Sequence, residues 1–158
     1  MVLGARRLIF MSLKSKAAKR VAAVVMALVM ALSATFVTAT PVNAATSSQV
    51  KLLAALIYCE AGGESYEGQL AVGAVVVNRI NSSSYPDTLK GVIYQSGQFG
   101  PASSGKLASR LSSGNISSSC YKAARQALKG VSNIGTLLHF QGTSSGKSGI
   151  IIGNHVFY

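Results

Sequence analysis

The stretch LIYCEAGGESYEGQLAVGAVVVNRI, residues 56–80, predicts two helices separated by a Gly-Gly break. Upstream of it, Thr46 opens a capping box ahead of an apolar run, which predicts where the first helix begins. Gly62-Gly63 is expected to end this helix, because glycine readily adopts the left-handed C-terminal turn. Ser65 is predicted to cap a second helix that is apolar nearly all round, so it should be the buried central helix.

Two more helices are predicted further along the chain. Pro86 is expected in the first turn of a short helix, with Asp87 near the positive end of its dipole. Ser117 or Ser118 should cap another helix, CYKAARQALKG, which stops at Gly130.

The remaining segments predict a loop and a small sheet. Residues 96–109 are rich in Gly and Ser and are expected to form a long loop. The runs TLLHFQ, residues 136–141, and GIIIGNHVFY, residues 149–158, are rich in β-formers and are joined by GTSSGKS, which predicts an antiparallel hairpin. The predicted fold class is therefore α+β, a mainly helical domain with a small antiparallel β-hairpin.

Residues 1–44 have the pattern of a secretory signal peptide, with a basic start, an apolar run over residues 21–37 and a small-residue exit. We predict cleavage after Ala44, which leaves residues 45–158 as one domain outside the cytoplasm. The alternative is an uncleaved membrane anchor, since an apolar run of about 17 residues is near the lower limit for a span.

The net charge of +11 overstates how basic the exported domain is. Beyond residue 44, nine lysines and arginines stand against four acids, which is a net charge of +5. These basic residues are scattered, so nucleic acid is not an expected partner. A moderate positive charge suits an anionic wall polymer instead. We expect a monomer without a cofactor, with membrane contact only through an uncleaved signal segment.

Glu60 is the acid whose position asks for an explanation. At helical spacing it shares a face with Leu53, Leu56 and Ile57, so it should turn inward. Desolvation raises a carboxyl pKa, and a raised pKa is what a general acid near neutral pH requires. The alternative is an exposed residue in a frayed last turn, although a carboxylate there opposes the helix dipole.

The other acids have simpler explanations or remain open. Glu67 and Asp87 are accounted for as anions at helix starts. Glu64 lies just past the predicted break, where it could line the same cleft, accept backbone amides or be solvated. With four acids and no His-x-x-x-His or Cys-x-x-Cys spacing, no metal site is predicted.

Several uncharged or weakly basic residues are candidates for substrate contact. Asn78 lies inside the apolar helix, where a polar side chain is more often a structural hydrogen bonder than a ligand contact. Gln98 and Phe99 could offer an amide and a ring to a sugar, although a loop Phe also serves as a plug over the core. His139 and His155 lie on the predicted strands, where a histidine is more often structural than catalytic.

The two cysteines, Cys59 and Cys120, leave two possibilities open, a disulfide or a pair of free thiols. They also suggest a different function. Cys120 lies near a helix start, where the dipole would lower its thiol pKa, and His139 or His155 could act as base in a cysteine peptidase or amidase of the wall. A domain that binds the wall without catalysing a reaction is a further hypothesis.

Four blocks of the chain resemble the SleB/CwlJ-type cell wall hydrolases, the spore-cortex-lytic enzyme family. They are LIYCEAGGESYEGQLAVGAVVVNRI, YPDTLKGVIYQSGQF, AARQALKG and IGNHVFY. The resemblance implies a lysozyme-like, lytic-transglycosylase-like fold that cleaves peptidoglycan glycan strands, with Glu60 as the catalytic acid and Glu64 in the same site region. Lytic transglycosylation needs only one catalytic carboxyl, which suits a chain with few acids.

The segment TLLHFQGTSSGKSG, residues 136–149, departs from the family pattern. Tyr94, His139 and Phe140 are candidate substitutes for the sugar contacts that the family makes there. The resemblance is compatible with spore cortex and with vegetative wall as the target.

Overall fold

The computed structural model describes residues 45–158, so the predicted signal peptide, residues 1–44, lies outside the described part of the chain. In this part, no helix is both long and apolar enough to cross a membrane. The described chain forms α1 Ser47–Ala61, α2 Tyr66–Ile80, α3 Leu89–Ile93, α4 Gly100–Ser103, α5 Lys106–Ser113, α6 Ser118–Leu128, β1 Phe140–Gly142, a 3₁₀ turn Thr143–Ser145, β2 Ile150–Ile152 and β3 His155–Phe157. The predicted α+β class, mainly helical with a small antiparallel sheet, is confirmed.

The capping box predicted at the start of α1 is confirmed. The Thr46 hydroxyl accepts a hydrogen bond from the Gln49 amide, and the Gln49 side chain accepts one from the Thr46 amide at 2.8 Å. The left-handed turn predicted at the end of α1 is wrong, because Gly62 is right-handed, with φ −62° and ψ −27°. The Gly62 amide donates to the Tyr58 carbonyl oxygen, so the helical hydrogen-bonding pattern simply continues into the turn.

α2 is the central helix, as predicted. The Ser65 hydroxyl accepts a hydrogen bond from the Gly68 amide, and nearly all residues of α2 up to Val76 are buried. Gly73 lets both neighbouring helices approach closely, since a Cβ there would lie 3.0 Å from side-chain carbons of Ile57 on α1 and Ala127 on α6. The core therefore forms where α1 and α6 pack on α2.

The predicted start of the third helix is wrong. α3 is capped by Thr88, whose hydroxyl accepts a hydrogen bond from the Gly91 amide at 3.1 Å. Pro86 and Asp87 therefore precede the helix rather than forming its first turn. The Thr88 side chain provides the local hydrogen bond that marks a helix start, whereas Pro86 only restricts the backbone.

The long loop predicted over residues 96–109 is also wrong, because it contains α4 and the first half of α5. Leu107 is wholly buried, and Leu111 packs against the core four positions later. Gly105 and Gly114, with φ of 79° and 68°, bound α5 on both sides. The Gly- and Ser-rich composition thus belongs to the ends and outer face of an amphipathic helix.

α6 begins as predicted, with the Ser117 hydroxyl accepting a hydrogen bond from the Cys120 amide at 3.2 Å. Cys59 and Cys120 are both free thiols, so the disulfide alternative is wrong. Burial raises the pKa of the Cys120 thiol, although a hydrogen bond with Ser117 partly lowers it. The lowered thiol pKa expected at this helix start is therefore wrong, because desolvation outweighs any effect of the dipole.

The sheet has the strand order β1-β3-β2, and both pairings are antiparallel. The turn at Gly153-Asn154 joins β2 directly to β3, with φ 58° at Gly153. The two predicted β-rich runs do pair antiparallel, through β1 and β3, but the tight hairpin lies within residues 149–158 rather than at GTSSGKS as predicted. The last strand becomes central because Val156 and Phe157 are buried, while Ile150 and Ile151 on the edge strand stay exposed.

Candidate active site

Glu60 lies in the last turn of α1 and is partly buried. Burial raises the pKa of its carboxyl above the ordinary value, and no other cause offsets this shift. The last turn of α1 contains no basic residue that would favour the charged form. A carboxyl in such surroundings holds its proton to a higher pH than a solvated one, which is the property of a general acid.

Glu64, four positions later, has the opposite environment. Its Oε1 accepts a hydrogen bond from the Asn154 side-chain amide at 2.8 Å, and its Oε2 accepts one from the Asn154 backbone amide at 3.2 Å. The Asn154 side chain, the Asn154 backbone and then the nearby His155 lower the pKa of the Glu64 carboxyl. The pKa of the Glu64 carboxyl is therefore shifted in the opposite direction from that of Glu60.

The turn that supplies Asn154 requires glycine at the preceding position. Gly153 has φ 58°, a conformation that other residues rarely adopt, and an added Cβ would collide with Oε2 of Glu64. The turn thus lies directly against the carboxylate. We refer to Glu64, Gly153 and Asn154 as the carboxylate clamp. It joins the loop after α1 to the β2–β3 turn.

His155 lies beside this clamp on β3. Its ring is edge-on to Phe140, with 5.3 Å between ring centroids, and its Nδ1 is buried without a hydrogen-bond partner in residues 45–158. The charge of His155 contributes to the lowered pKa of Glu64. His155 and Glu64, two predicted site residues, are thus neighbours in the structure.

Asn78 and Arg79, at the end of α2, hold the segment that leads to β1. The Asn78 side-chain amide donates to the carbonyl oxygens of Gly135 and Leu137, at 2.9 and 2.8 Å. Arg79 is buried, and its Nε donates to the Leu138 carbonyl oxygen at 2.8 Å. Both amide protons of Asn78 are therefore engaged by the protein itself.

Gln98 and Phe99 lie against Arg79. The Gln98 side-chain oxygen accepts a hydrogen bond from Arg79 Nη1 at 3.0 Å, which leaves the Gln98 NH₂ group available. Phe99 is only 3 % exposed, and its ring lies under the guanidinium, 5.2 Å from centroid to Cζ. Phe99 in turn neighbours the Phe140 ring, which contacts His155. Gln98 thus offers a free amide, while Phe99 serves mainly as a plug over the core.

Tyr94 and His139 are predicted site residues with exposed aromatic side chains. Tyr94 ends α3 and is 45 % exposed. His139 is exposed and stacks on Tyr158, with ring centroids 5.4 Å apart and planes inclined by 18°. The backbones of His139 and Tyr158 also exchange two hydrogen bonds, at 2.9 and 3.0 Å. Both side chains present an aromatic surface of the kind that sugar rings pack against.

Sequence reasoning missed Arg79, Gly153 and Asn154 as organising residues. Asn154 fixes Glu64, and Arg79 fixes Gln98 together with two aromatic rings, Tyr85 and Phe99. A signal was present for the turn, since Gly-Asn between two β-rich runs is typical of a tight hairpin. The contact with Glu64, 90 positions away, had no local signal.

The sequence profile of the family described as Cell Wall Hydrolase matches residues 63–158. The chain belongs to the Cell Wall Hydrolase family. The resemblance to an enzyme family that the sequence blocks indicated is thereby confirmed. The match begins three positions after Glu60, so the role of Glu60 rests on its own geometry and on the motif that contains it.

Curated relatives of this hydrolase chain include two proteins named spore cortex-lytic enzyme. The one from Oceanobacillus iheyensis is 32% identical over 120 residues, which are 71% of this chain and 42% of the relative. The one from Bacillus subtilis is 40% identical over 62 residues, which are 39% of this chain and 20% of the relative. The chain thus spans less than half the length of these relatives.

Two solved structures share the fold of this Cell Wall Hydrolase domain. The catalytic domain of the Bacillus cereus SleB protein is 30% identical, with a TM-score of 0.63, and the match covers 73% of this chain and 92% of that one. The catalytic domain of the germination-specific lytic transglycosylase SleB from Bacillus anthracis is 29% identical, with a TM-score of 0.62, and the match covers 73% and 97%. The predicted fold is that of these catalytic domains.

Proposed function

We propose that residues 45–158 form an enzyme that cleaves the glycan strands of bacterial peptidoglycan, with Glu60 as its general acid and then its base. One observation carries the proposal: burial raises the pKa of Glu60 in the last turn of α1. A carboxyl whose pKa is raised keeps its proton to a higher pH than a solvated one, and it can protonate a glycosidic oxygen as the carbon–oxygen bond breaks.

A lytic transglycosylase reaction fits this chain best. Glu60 donates its proton to the leaving oxygen, and the resulting carboxylate then accepts a proton from the sugar's own 6-hydroxyl as that oxygen attacks the anomeric carbon. The products are a new chain end and a 1,6-anhydro sugar, so no water and no second carboxylate are consumed. Both oxygens of Glu64 already accept hydrogen bonds from Asn154, which argues against Glu64 as a nucleophile.

The substrate and location follow from several supporting features. Relatives are named spore cortex-lytic enzyme, and a structural neighbour is described as a germination-specific lytic transglycosylase. The signal-peptide pattern of residues 1–44 supports export, and the charge of the domain supports binding to an anionic wall. We propose that the enzyme acts as a monomer outside the cytoplasm, on spore cortex or vegetative wall.

Subsite contacts are assigned to the residues that remain available for a glycan. Tyr94 and His139 offer aromatic faces, and Gln98 offers its free NH₂ group. His155, beside the carboxylate clamp, completes this set. Asn78, Phe99 and Glu64 are assigned supporting roles, since their polar atoms or rings are engaged within the protein.

The hypothesis of a cysteine peptidase loses its physical basis, because Cys120 is wholly buried and its thiol pKa is raised.

Mass spectrometry of fragments released from purified peptidoglycan tests the proposed reaction. Fragments with 1,6-anhydro-muramic ends are expected. Fragments with reducing ends would indicate hydrolysis instead of transglycosylation. Cleaved peptide bonds would indicate a peptidase, and binding without release of fragments would indicate a wall-binding domain.

A further inference from the structure

A pocket between α1 and α5 has no role in the chemistry assigned to Glu60. Its volume is about 300 Å³, and its lining consists of Tyr58, Cys59, Lys106, Ser109 and Arg110. Two of these side chains are cationic, and none is acidic. Lys106 and Arg110 lie four positions apart on α5, so they project from the same face of the helix.

Arg110 is held in place rather than free in solvent. Its Cζ lies 4.0 Å from the centroid of the Tyr58 ring, and its Nη1 donates to the Asn115 carbonyl oxygen at 2.6 Å. A guanidinium carries five N–H donors in a rigid plane, so this hydrogen bond and a further one to the Cys59 side chain leave other donors free. A preoriented planar donor set is suited to binding a carboxylate through two parallel hydrogen bonds.

The positive charge of the pocket is not consumed within the described chain. α5 has the sequence KLASRLSS and contains no acid, and Arg110 donates to the uncharged Asn115 carbonyl group and contacts the Cys59 thiol. Of the four acids, Glu64 accepts hydrogen bonds from Asn154, and Glu67 and Asp87 lie near the starts of α2 and α3. The pKa of the fourth, Glu60, is raised by burial and is not lowered by either cation. The two cations are therefore available to an anionic ligand.

The pocket adjoins the proposed acid. Burial raises the pKa of the Cys59 thiol, the charges of Arg110 and Lys106 lower it, and the charge of Glu60 raises it. The Cys59 thiol is therefore within electrostatic reach of all three charged groups. Cys59 lines the pocket and directly precedes Glu60 on α1, so a ligand group held by Arg110 would lie beside the part of α1 that carries the proposed acid.

We propose that this pocket is a carboxylate subsite, in which Arg110 and Lys106 bind a free carboxylate of the peptide stem carried by the glycan strand. The inference rests on the proposed function, because a stem peptide reaches the pocket only if the strand lies along Glu60. Stem carboxylates have the planar shape that the guanidinium matches, and they occur at the sugar next to the cleaved bond. The pocket would thus select strands with stems over bare ones.

Binding to catalytically silent protein tests this proposal independently of cleavage. In a Glu60→Gln background, we would measure the affinity for soluble glycan strands free of teichoic acid, with stems intact or removed by an amidase. Stem-bearing strands are expected to bind about tenfold more tightly, since a charge-assisted hydrogen bond is worth about that factor. Arg110→Gln should abolish the difference and leave the affinity for bare strands unchanged.

Two further variants make the result decisive. Lys106→Gln alters an exposed side chain and should reduce the preference even if Arg110→Gln disturbs the fold. Arg125→Gln removes the same charge from an exposed site on α6 and should leave the preference intact. Equal loss of affinity for both strands in the Arg110 and Lys106 variants, or no loss, would overturn the proposal.

The remaining outcomes separate this subsite from its alternatives. If the Arg110 effect appears only on walls that retain teichoic acid, the pocket binds phosphate and the stem assignment is wrong. If wild-type protein releases no fragments but the stem preference persists in the binding assay, the proposed reaction fails while the carboxylate subsite stands.

Discussion

At the end of α1, Glu60 and Glu64 are separated by only three residues, yet their pKa values are shifted in opposite directions. Burial favours the protonated form of Glu60, whereas hydrogen bonds from Asn154 favour the ionised form of Glu64. Pairs of carboxyls separated in this way often divide the work of an acid and a supporting charge. The environment of each residue, rather than its position in the motif, indicates its role.

The pH dependence of cleavage should follow Glu60. The active form carries the proton, so kcat/KM should fall as the pH rises through the raised pKa of Glu60. A pH profile of fragment release would measure this fall in kcat/KM, the alkaline limb of the profile. Glu67→Gln is the control, because it removes the same charge from an exposed residue. A limb at the ordinary carboxyl pKa of about 4.3 would contradict the assignment.

The carboxylate clamp can be tested as a pair. Glu64→Gln and Asn154→Ala should each destabilise the domain, and the double variant should lose less than the sum, with a coupling of about 0.5–1 kcal/mol at this exposed site. Urea unfolding of the four proteins provides the measurement. The lowered pKa of Glu64 means that the coupling is full above the unfolded carboxyl pKa and is lost as the pH falls through the folded one. Additive losses at neutral pH would show that the two residues do not interact.

Among the elements, the starts of α1, α2 and α6 were the most predictable feature. Thr46, Ser65 and Ser117 cap their helices through hydrogen bonds to amides three positions away, so the signal lies within one turn of sequence. α5 was hidden because its composition resembles a loop, and only its packing on α1 makes it a helix. The strand order could not be predicted, because the pairing of β1 with β3 depends on which strand faces become buried when distant parts of the chain pack together.

α5 should depend on its single buried leucine. Leu107→Ala is expected to destabilise the domain by about 2–5 kcal/mol, because Leu107 is wholly buried. Leu111→Ala on the same helix is the matched control and should cost less, since Leu111 is only partly buried. Urea unfolding would measure both, and equal losses would show that Leu107 is not the anchor of α5.

At the scale of the whole domain, the site is assembled by contacts between distant parts of the chain. Glu64 meets Asn154 across 90 positions, and Arg79 meets Leu138 across 59. The sequence could indicate Glu60 as a candidate, because the apolar residues that share its helix face lie within two turns of it. It could not indicate Asn154 as the partner of Glu64, since that contact depends on the completed fold.

The domain should be stable without a disulfide. Cys59 and Cys120 are free thiols, so a reducing agent is expected to leave Tm unchanged. A thiol reagent should modify the partly exposed Cys59 in the native protein, slowly because its pKa is raised, and the buried Cys120 only after unfolding. Cys59→Ser should abolish native labelling, whereas a fall in Tm on reduction would indicate a bridge.

The central claim is that Glu60 supplies the proton for glycan cleavage. The most direct measurement compares lysis of a peptidoglycan suspension by wild-type protein, Glu60→Gln and the exposed control Glu67→Gln, all shown to be folded by circular dichroism. Glu60→Gln is expected to lose at least about a hundredfold in rate, the typical contribution of a general acid, while Glu67→Gln keeps the wild-type rate. Clearance by Glu60→Gln at the wild-type rate would contradict the claim.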